Sequence, residues 1–427
     1  MFCLNWVQFL KVRKMDLKIS RNYLIACSGL SLLFLMMAFI SQLYAIKIVL
    51  MLLLMILIRK KPNLSNNVKI AYFLIFLYGI YGIFIGFLYQ TPNPLVFVTI
   101  YCLWPLFYIL YTITIVKEQY FKLIIQTIFV AHVFIVFYDL LYAWGTLVGV
   151  PIPNIYTVEI PFSIYDDASR MNFVNLNSLT FSAPVLFILV LGKYDLGISR
   201  LFQFFVLICT FFLFIISGRR SVMLIMAVLP FFPFFFSNFF SKKLRHTLVK
   251  SSVVFLLLFL GAFIVVDKYN PQFIENYTQV FFNAFDSEKE PVKFAQKKML
   301  IEKFKEKPIF GHGSGEMFFE PSPGRMTYGD QFELSYHFKL ASTGIVGFII
   351  IIGVYLWILI YGIYLARRKN DLLFLSFLVG YFFMLIADST NPVLCSFDLI
   401  WPIYLCLAKI NYWELNKENI NSNGLLI

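Results

Sequence analysis

Residues Leu201–Pro230 read LFQFFVLICTFFLFIISGRRSVMLIMAVLP. Two apolar runs rich in Phe, Leu and Ile flank a single polar break, Ser217-Gly218-Arg219-Arg220-Ser221. About 18 apolar residues suffice to cross the hydrocarbon layer as a helix, so the stretch reads as two successive spans. The pattern recurs along the chain: 60% of the 427 residues are hydrophobic, 14% are charged, and Phe occurs 51 times. A soluble chain of this length would suggest roughly three domains. Here one all-α integral-membrane bundle accounts for nearly all of it.

Hydropathy and loop punctuation place about twelve transmembrane helices at 22–40, 43–58, 69–89, 94–116, 121–150, 178–192, 201–216, 221–240, 251–267, 338–365, 371–388 and 395–410. The organisation is then 1–267, nine spans with short loops; 268–337, one large outer loop; and 338–427, three spans and a cytoplasmic tail. Charge sets the orientation. With the N-terminus inside, the inner segments hold Arg59, Lys60, Lys61 and Lys69; Lys117 and Lys122; Lys193 and Arg200; Lys242, Lys243, Arg245 and Lys250; and Arg367, Arg368 and Lys369. With Lys11, Arg13, Lys14, Lys18 and Arg21 before the first span and Lys409 and Lys417 after the last, these are more than half of the chain's 36 Lys and Arg. Short outer segments hold only Arg170, Arg219 and Arg220. Both termini are therefore expected in the cytoplasm, since short loops rich in Lys and Arg stay inside. The net charge of +13 is an orientation and anionic-lipid charge, so membrane lipids are expected partners and nucleic acid is not.

Cys3, Cys27, Cys102, Cys209, Cys395 and Cys406 are scattered without a CxxC pattern, so neither a disulfide framework nor a metal site is expected. The basic N-terminal stretch precedes an apolar run without a clear cleavage site and reads as a retained first span, with Met15 as an alternative start.

The cations that defy the charge rule are all arginine. A guanidinium pair at the outer boundary suits phosphate or pyrophosphate, while the plainer reading is snorkelling to lipid headgroups. Arg170 lies in Asp166-Asp167-Ala168-Ser169-Arg170-Met171-Asn172-Phe173-Val174-Asn175-Leu176-Asn177, just before a span. Arg170, Asn175 and Asn177 supply donors and acceptors for a sugar or phosphate; the plainer reading is capping by Asn177 or Ser178 and pairing of Arg170 with Asp166 or Asp167. His337 precedes the tenth span and is a candidate general base, since neutral imidazole titrates near physiological pH. His312, within Gly311-His312-Gly313-Ser314-Gly315, is a weaker candidate. His132 within a span and His246 in an inner basic loop read as structural.

A helical stretch over 292–305 carries Ala295, Met299, Leu300 and Phe304 on one side, and Lys293, Lys297 and Lys298 beside them. The Pro- and Gly-rich turn 307–315 ends it. Asp139 and Asp388 are candidate polar sites because carboxylates within spans are expensive.

Four of these segments, in order, resemble the O-antigen ligase and polymerase superfamily of bacterial membrane glycosyltransferases. Ser217-Gly218-Arg219-Arg220-Ser221 is similar to its Ser-x-Ser-Arg-x span start and aligns Arg220 with the family arginine. Arg170 to Asn177 is similar to its Arg…Asn-Pro-Asn segment, with Leu176 for Pro. Lys293 to Gly313 is similar to Arg-x-x-x-Trp…Pro-hydrophobic-Phe-Gly-x-Gly, with Lys293 and Lys297 for Arg and Trp. His337 to Gly347 is similar to His-Asn-x-x-x…Gly-x-x-Gly, with Phe338 for Asn. The resemblance covers about residues 165–365.

It implies a multi-pass protein of the bacterial inner membrane that needs no nucleotide sugar, metal or other cofactor. A polyprenyl-pyrophosphate-linked glycan is the implied donor and a glycan hydroxyl the acceptor, with a chain-length regulator as a further partner. Arg220, Arg170 and Lys293 would then stabilise the leaving pyrophosphate, with Arg219 in support, and His337 would orient or deprotonate the hydroxyl. The altered His-Asn pair and the Phe- and Ile-rich composition favour a polymerase over a ligase that transfers glycan to lipid A–core. A flippase of lipid-linked glycan would instead require inverted repeats, broken helices and charges deep in the spans; none is evident from the sequence.

Overall fold

The computed structural model of the chain describes residues 21–58, 63–114, 117–156, 175–217, 220–235, 242–269, 275, 291–319, 326–328 and 334–423. These are almost entirely helical. In chain order the helices are α1 (Arg21–Ala38), α2 (Tyr44–Leu57), α3 (Asn66–Leu88), α4 (Trp104–Thr114), α5 (Glu118–Val148), α6 (Leu176–Leu191), α7 (Arg200–Ser217), α8 (Arg220–Val228), α9 (Lys242–Tyr269), α10 (Pro291–Glu306), α11 (Ser335–Lys369), α12 (Leu372–Asp388) and α13 (Phe397–Asn423). One small antiparallel hairpin joins β1 (Met317–Phe319) to β2 (Met326–Tyr328), with Phe318 opposite Thr327. Among the described residues three helices are long and apolar enough to cross a membrane: Asn66–Leu88, Glu118–Thr146 and Ser335–Lys369. Seven shorter apolar helices accompany them.

The bundle is organised around α6. Every residue from Leu176 to Leu191 except Asn177 is buried, which marks a helix enclosed on all sides. Its closest partner is α12, where Gly380 lets the two backbones approach: a Cβ there would lie 2.7 Å from the Phe181 carbonyl. α3 uses the same device against aromatic rings. Cβ atoms at Gly79 and Gly82 would strike Tyr101 and Phe97, which pack edge-on at 5.0 Å.

Polar side chains gather at the two ends of the bundle. One end, here the basic end, carries Arg367, Arg368 and Lys369 in the last turn of α11, where cations complement the helix dipole. At this end Lys409 is buried between Glu118 (2.6 Å) and Asp371 (3.0 Å). At the other, distal end, Lys47 of α2 is buried against Asp398 at 2.8 Å, and the second Asp398 oxygen accepts from the Ser41 amide.

Several sequence expectations change locally. α9 begins at Lys242, so Lys242, Lys243, Arg245, His246 and Lys250 lie in its early turns and not in a loop. The run 94–116 is no single α-helix: Val98–Leu103 is a wide π turn ahead of α4. Pro105 explains it, because proline has no N–H for the preceding turn. The eighth run narrows to a 3₁₀ turn at Leu229–Phe231 around Pro230 and ends in a helical turn at Phe232–Phe235. α6 starts after Asn175, whose side chain makes no capping hydrogen bond, so capping by Asn177 or Ser178 is not the arrangement found. The largest departure is in α11. No break is legible in its apolar run, yet Gly344 has φ 60° and ψ −169°, which splits the helix into a short segment before Gly344 and a long one after it.

Candidate functional site

The break at Gly344 organises the distal end. Unwinding there frees the carbonyls of Ala341 and Ser342 and the amides of Ile345 and Val346, and an unpaired backbone group in an apolar setting is costly. The turn 307–315 takes up all four. His312 N–H donates to Ala341 O (3.1 Å) and Gly313 N–H to Ser342 O (2.7 Å). Ile345 N–H donates to Pro308 O (2.9 Å) and Val346 N–H to Ile309 O (3.3 Å). On its other side the turn reaches α3: Ser314 N–H donates to Gly82 O (2.8 Å), and Thr91 Oγ1 donates to Ser314 O (2.6 Å). Glycine is required here. Gly313 has φ 94°, and a Cβ on it would collide with the Gly86 backbone.

α10 feeds this turn and packs along α11 with Leu300 and Gln296 buried. Its end is fastened by His312. The buried imidazole donates from Nε2 to Lys303 O at 2.8 Å, stands 3.6 Å from Glu306 and meets Phe318 edge-on. The hydrogen bond from Lys303 holds the Glu306 carboxyl below its usual range. Lys307 caps the module with its ammonium 3.3 Å from the centre of the Tyr89 ring.

His337 lies half-buried in the first turn of α11, with the exposed Lys297 of α10 within electrostatic reach. Two residues on, Lys339 is fully buried and pairs with Asp388 at 2.9 Å. Ser335 Oγ donates to the same carboxylate oxygen (2.9 Å), and the Leu394 amide donates to the other (2.9 Å). Asp388 thus accepts three hydrogen bonds, two on one oxygen and one on the other, and such pairing is the condition for tolerating a buried charge.

The structure unites some of the sequence-predicted residues and leaves others apart. His337, His312 and the first turn of α10, where Lys293 sits, belong to one module made of α10, the turn and α11. Arg220 opens α8 at the distal end; its side chain, that of Lys293, and all of Arg219 and Arg170 lie outside the described residues. Asn175 is fully buried at the start of α6 beside Tyr156, which in turn lies within electrostatic reach of Asp139. Asn177 is half-buried in the first turn of that helix. His132 is fully buried in α5 with Ser182 Oγ at 2.7 Å and Thr210 Oγ1 at 2.8 Å, one hydroxyl on each ring nitrogen.

Lys339 and Lys47 were not singled out from the sequence. Each is a lone lysine in an apolar run, and the high cost of burying one was the available signal. Chemically, the module offers a half-buried imidazole beside an ammonium, on a support fixed by paired backbone and a buried ion pair. Among the described residues no group of His, Cys, Asp and Glu is placed to hold a metal ion. No protein-family model and no curated protein matches the chain.

Proposed function

We propose that the chain is a polysaccharide polymerase of the bacterial inner membrane, with twelve spans, both termini cytoplasmic and 268–337 outside. It transfers glycan from a polyprenyl-pyrophosphate-linked donor to an acceptor sugar hydroxyl in the outer leaflet. The hydroxyl oxygen attacks the anomeric carbon from the face opposite the leaving group, so the configuration inverts. The bond from that carbon to the pyrophosphate oxygen breaks, and the hydroxyl proton passes to His337. Arg220, Arg170 and Lys293, with Arg219 in support, offset the charge that develops on the departing pyrophosphate. His312 serves the site by holding the turn, and Asn177, the half-buried member of the Asn pair, provides a polar contact for sugar. No resident cofactor takes part in this scheme.

One observation carries the reading: His337 is half-buried at the start of a broken helix, beside the cationic face of α10, on a module pinned by the turn. That is a half-buried imidazole next to positive charge, which suits a reaction that takes up a hydroxyl proton and expels pyrophosphate. The four motif resemblances, in order along the chain, add to it. A ligase with a lipid A–core acceptor shares this donor chemistry. Single-repeat caps on lipid A–core in a deletion strain indicate a polymerase, and complete lipid-linked polymer left untransferred indicates a ligase.

The broken α11 and the buried pairs Lys47–Asp398 and Lys339–Asp388 favour a second reading, a flippase of lipid-linked glycan. Against it, the backbone groups freed at the break are bonded to the turn and so are not presented to a substrate path. Reconstituted protein supplied with lipid-linked repeat units separates the readings. His337→Ala should lower turnover about 10²–10⁴-fold with donor binding little changed. Arg220→Ala and Arg220→Lys should both abolish polymer while the protein stays in the membrane. Full activity of both arginine variants would sink the pyrophosphate clamp, and unchanged turnover in His337→Ala would remove the base.

A further inference from the structure

A cavity of about 270 Å³ lies between α1, α2, α4, α5 and α13, none of them part of the module around His337. α1 and α4 part here, and Tyr111 Oη, donating to Gly29 O at 2.6 Å, bridges the gap. The deep wall is apolar, formed by Leu33, Met36, Leu54 and Leu405. Several of its polar atoms are turned to the backbone: Tyr108 Oη donates to Phe397 O (3.1 Å) and Thr114 Oγ1 to Tyr111 O (2.9 Å). A guest inside therefore has hydrocarbon to touch and few hydrogen-bonding partners. The exposed rim is different. It carries Arg21 and Lys117, both at the basic end, where α1 and α5 begin. Arg21 Nε donates to Leu57 O at 2.6 Å, which anchors the guanidinium at the mouth.

We infer that this cavity is a binding site for an acidic glycerophospholipid of the surrounding leaflet. Part of one acyl chain fills the apolar interior, and the phosphate of the headgroup sits between Arg21 and Lys117. The volume is just below the range of about 300–1,000 Å³ usual for whole ligands, which suits a chain segment and not an entire lipid. Basic clefts between membrane helices on the cytoplasmic side attract such headgroups. Its mouth opens at the basic end and none of its lining residues belongs to the module around His337, so the two inferences stand or fall independently.

The test is native mass spectrometry of the full chain, delipidated in detergent and titrated with phosphatidylglycerol or with phosphatidylcholine of the same acyl chains. One phosphatidylglycerol per chain should bind at least tenfold more tightly than phosphatidylcholine. The double variant Arg21→Ala/Lys117→Ala should weaken phosphatidylglycerol by roughly thirtyfold and leave phosphatidylcholine unchanged. Ala26→Trp, on the cavity wall, should abolish the bound lipid by filling the space without altering charge. Arg21→Lys/Lys117→Arg should retain it. Equal affinity for the two lipids overturns the proposal. So does undiminished phosphatidylglycerol binding by the double variant, or by Ala26→Trp should the double variant aggregate. Because the readout is bound lipid mass, it is unaffected if no polymerase activity exists.

Discussion

At the scale of single residues, the distal end turns on which side chains are already committed. His312 has its Nε2 proton on Lys303 O, and both nitrogens of His132 face hydroxyls. His337 is the half-buried histidine beside a cation. Asp388 was recognisable from sequence, because a carboxylate in an apolar run is too costly to be idle. Its partner was not, since Lys339 lies 49 residues away and only the packing of α11 on α12 joins them. Removing one member of such a pair leaves a bare buried charge. Lys339→Met should therefore cost about 3–5 kcal/mol, whereas Lys339→Met with Asp388→Leu should recover much of that. Denaturant unfolding in detergent measures both, and a single variant as stable as the parent would refute the argument.

At the scale of elements, the informative unit is the turn 307–315 seated in the break of α11. Its Pro and Gly residues were legible as the end of α10, and α10 itself runs close to the 292–305 expected. That the same residues pair with the Gly344 break was not legible. The pairing joins segments about 30 residues apart, and an apolar run containing Gly is common in unbroken membrane helices. Gly344 occupies a backbone region that is essentially glycine-only, and a Cβ there would meet the Ile309 carbonyl. Gly344→Ala, like Gly313→Ala, should cost more than about 2 kcal/mol. Hydrogen exchange should show faster exchange at His312, Gly313, Ile345 and Val346, whose amides form the junction. Protection equal to the parent's at all four would mean that the turn does not hold the break.

For the whole molecule, the two polar ends bear on orientation. Lys298 belongs to the module around His337, while Lys369 closes α11 at the basic end. In a background with the six native cysteines replaced by serine, Lys298→Cys should react with a membrane-impermeant maleimide on intact cells. Lys369→Cys should react only after permeabilisation. The reverse pattern would invert the proposed orientation and move His337 to the cytoplasmic side. The strong burial of α6 also predicts where the fold tolerates least: Gly380→Leu, which drives a side chain into Val185 and the Phe181 carbonyl, should prevent stable accumulation in the membrane. Normal amounts of monodisperse protein would argue against α6–α12 as the centre of the bundle.

The chain by itself determined the helical class, the rough placing of most apolar helices, and the basic residues that mark one end of the bundle. These depend on hydropathy and charge along a line, and a single residue type reports on each. The tertiary structure alone decided the rest. It placed Lys339 on Asp388 and Lys47 on Asp398, filled the Gly344 break with the turn after α10, and distinguished a committed His312 from a half-buried His337. The two ion pairs and the filled break join residues tens to hundreds of positions apart, whereas the bond of His312 to Lys303 is local. A buried charge or a freed backbone group must find a partner, but which partner it meets depends on how helices pack, and that is absent from local pattern.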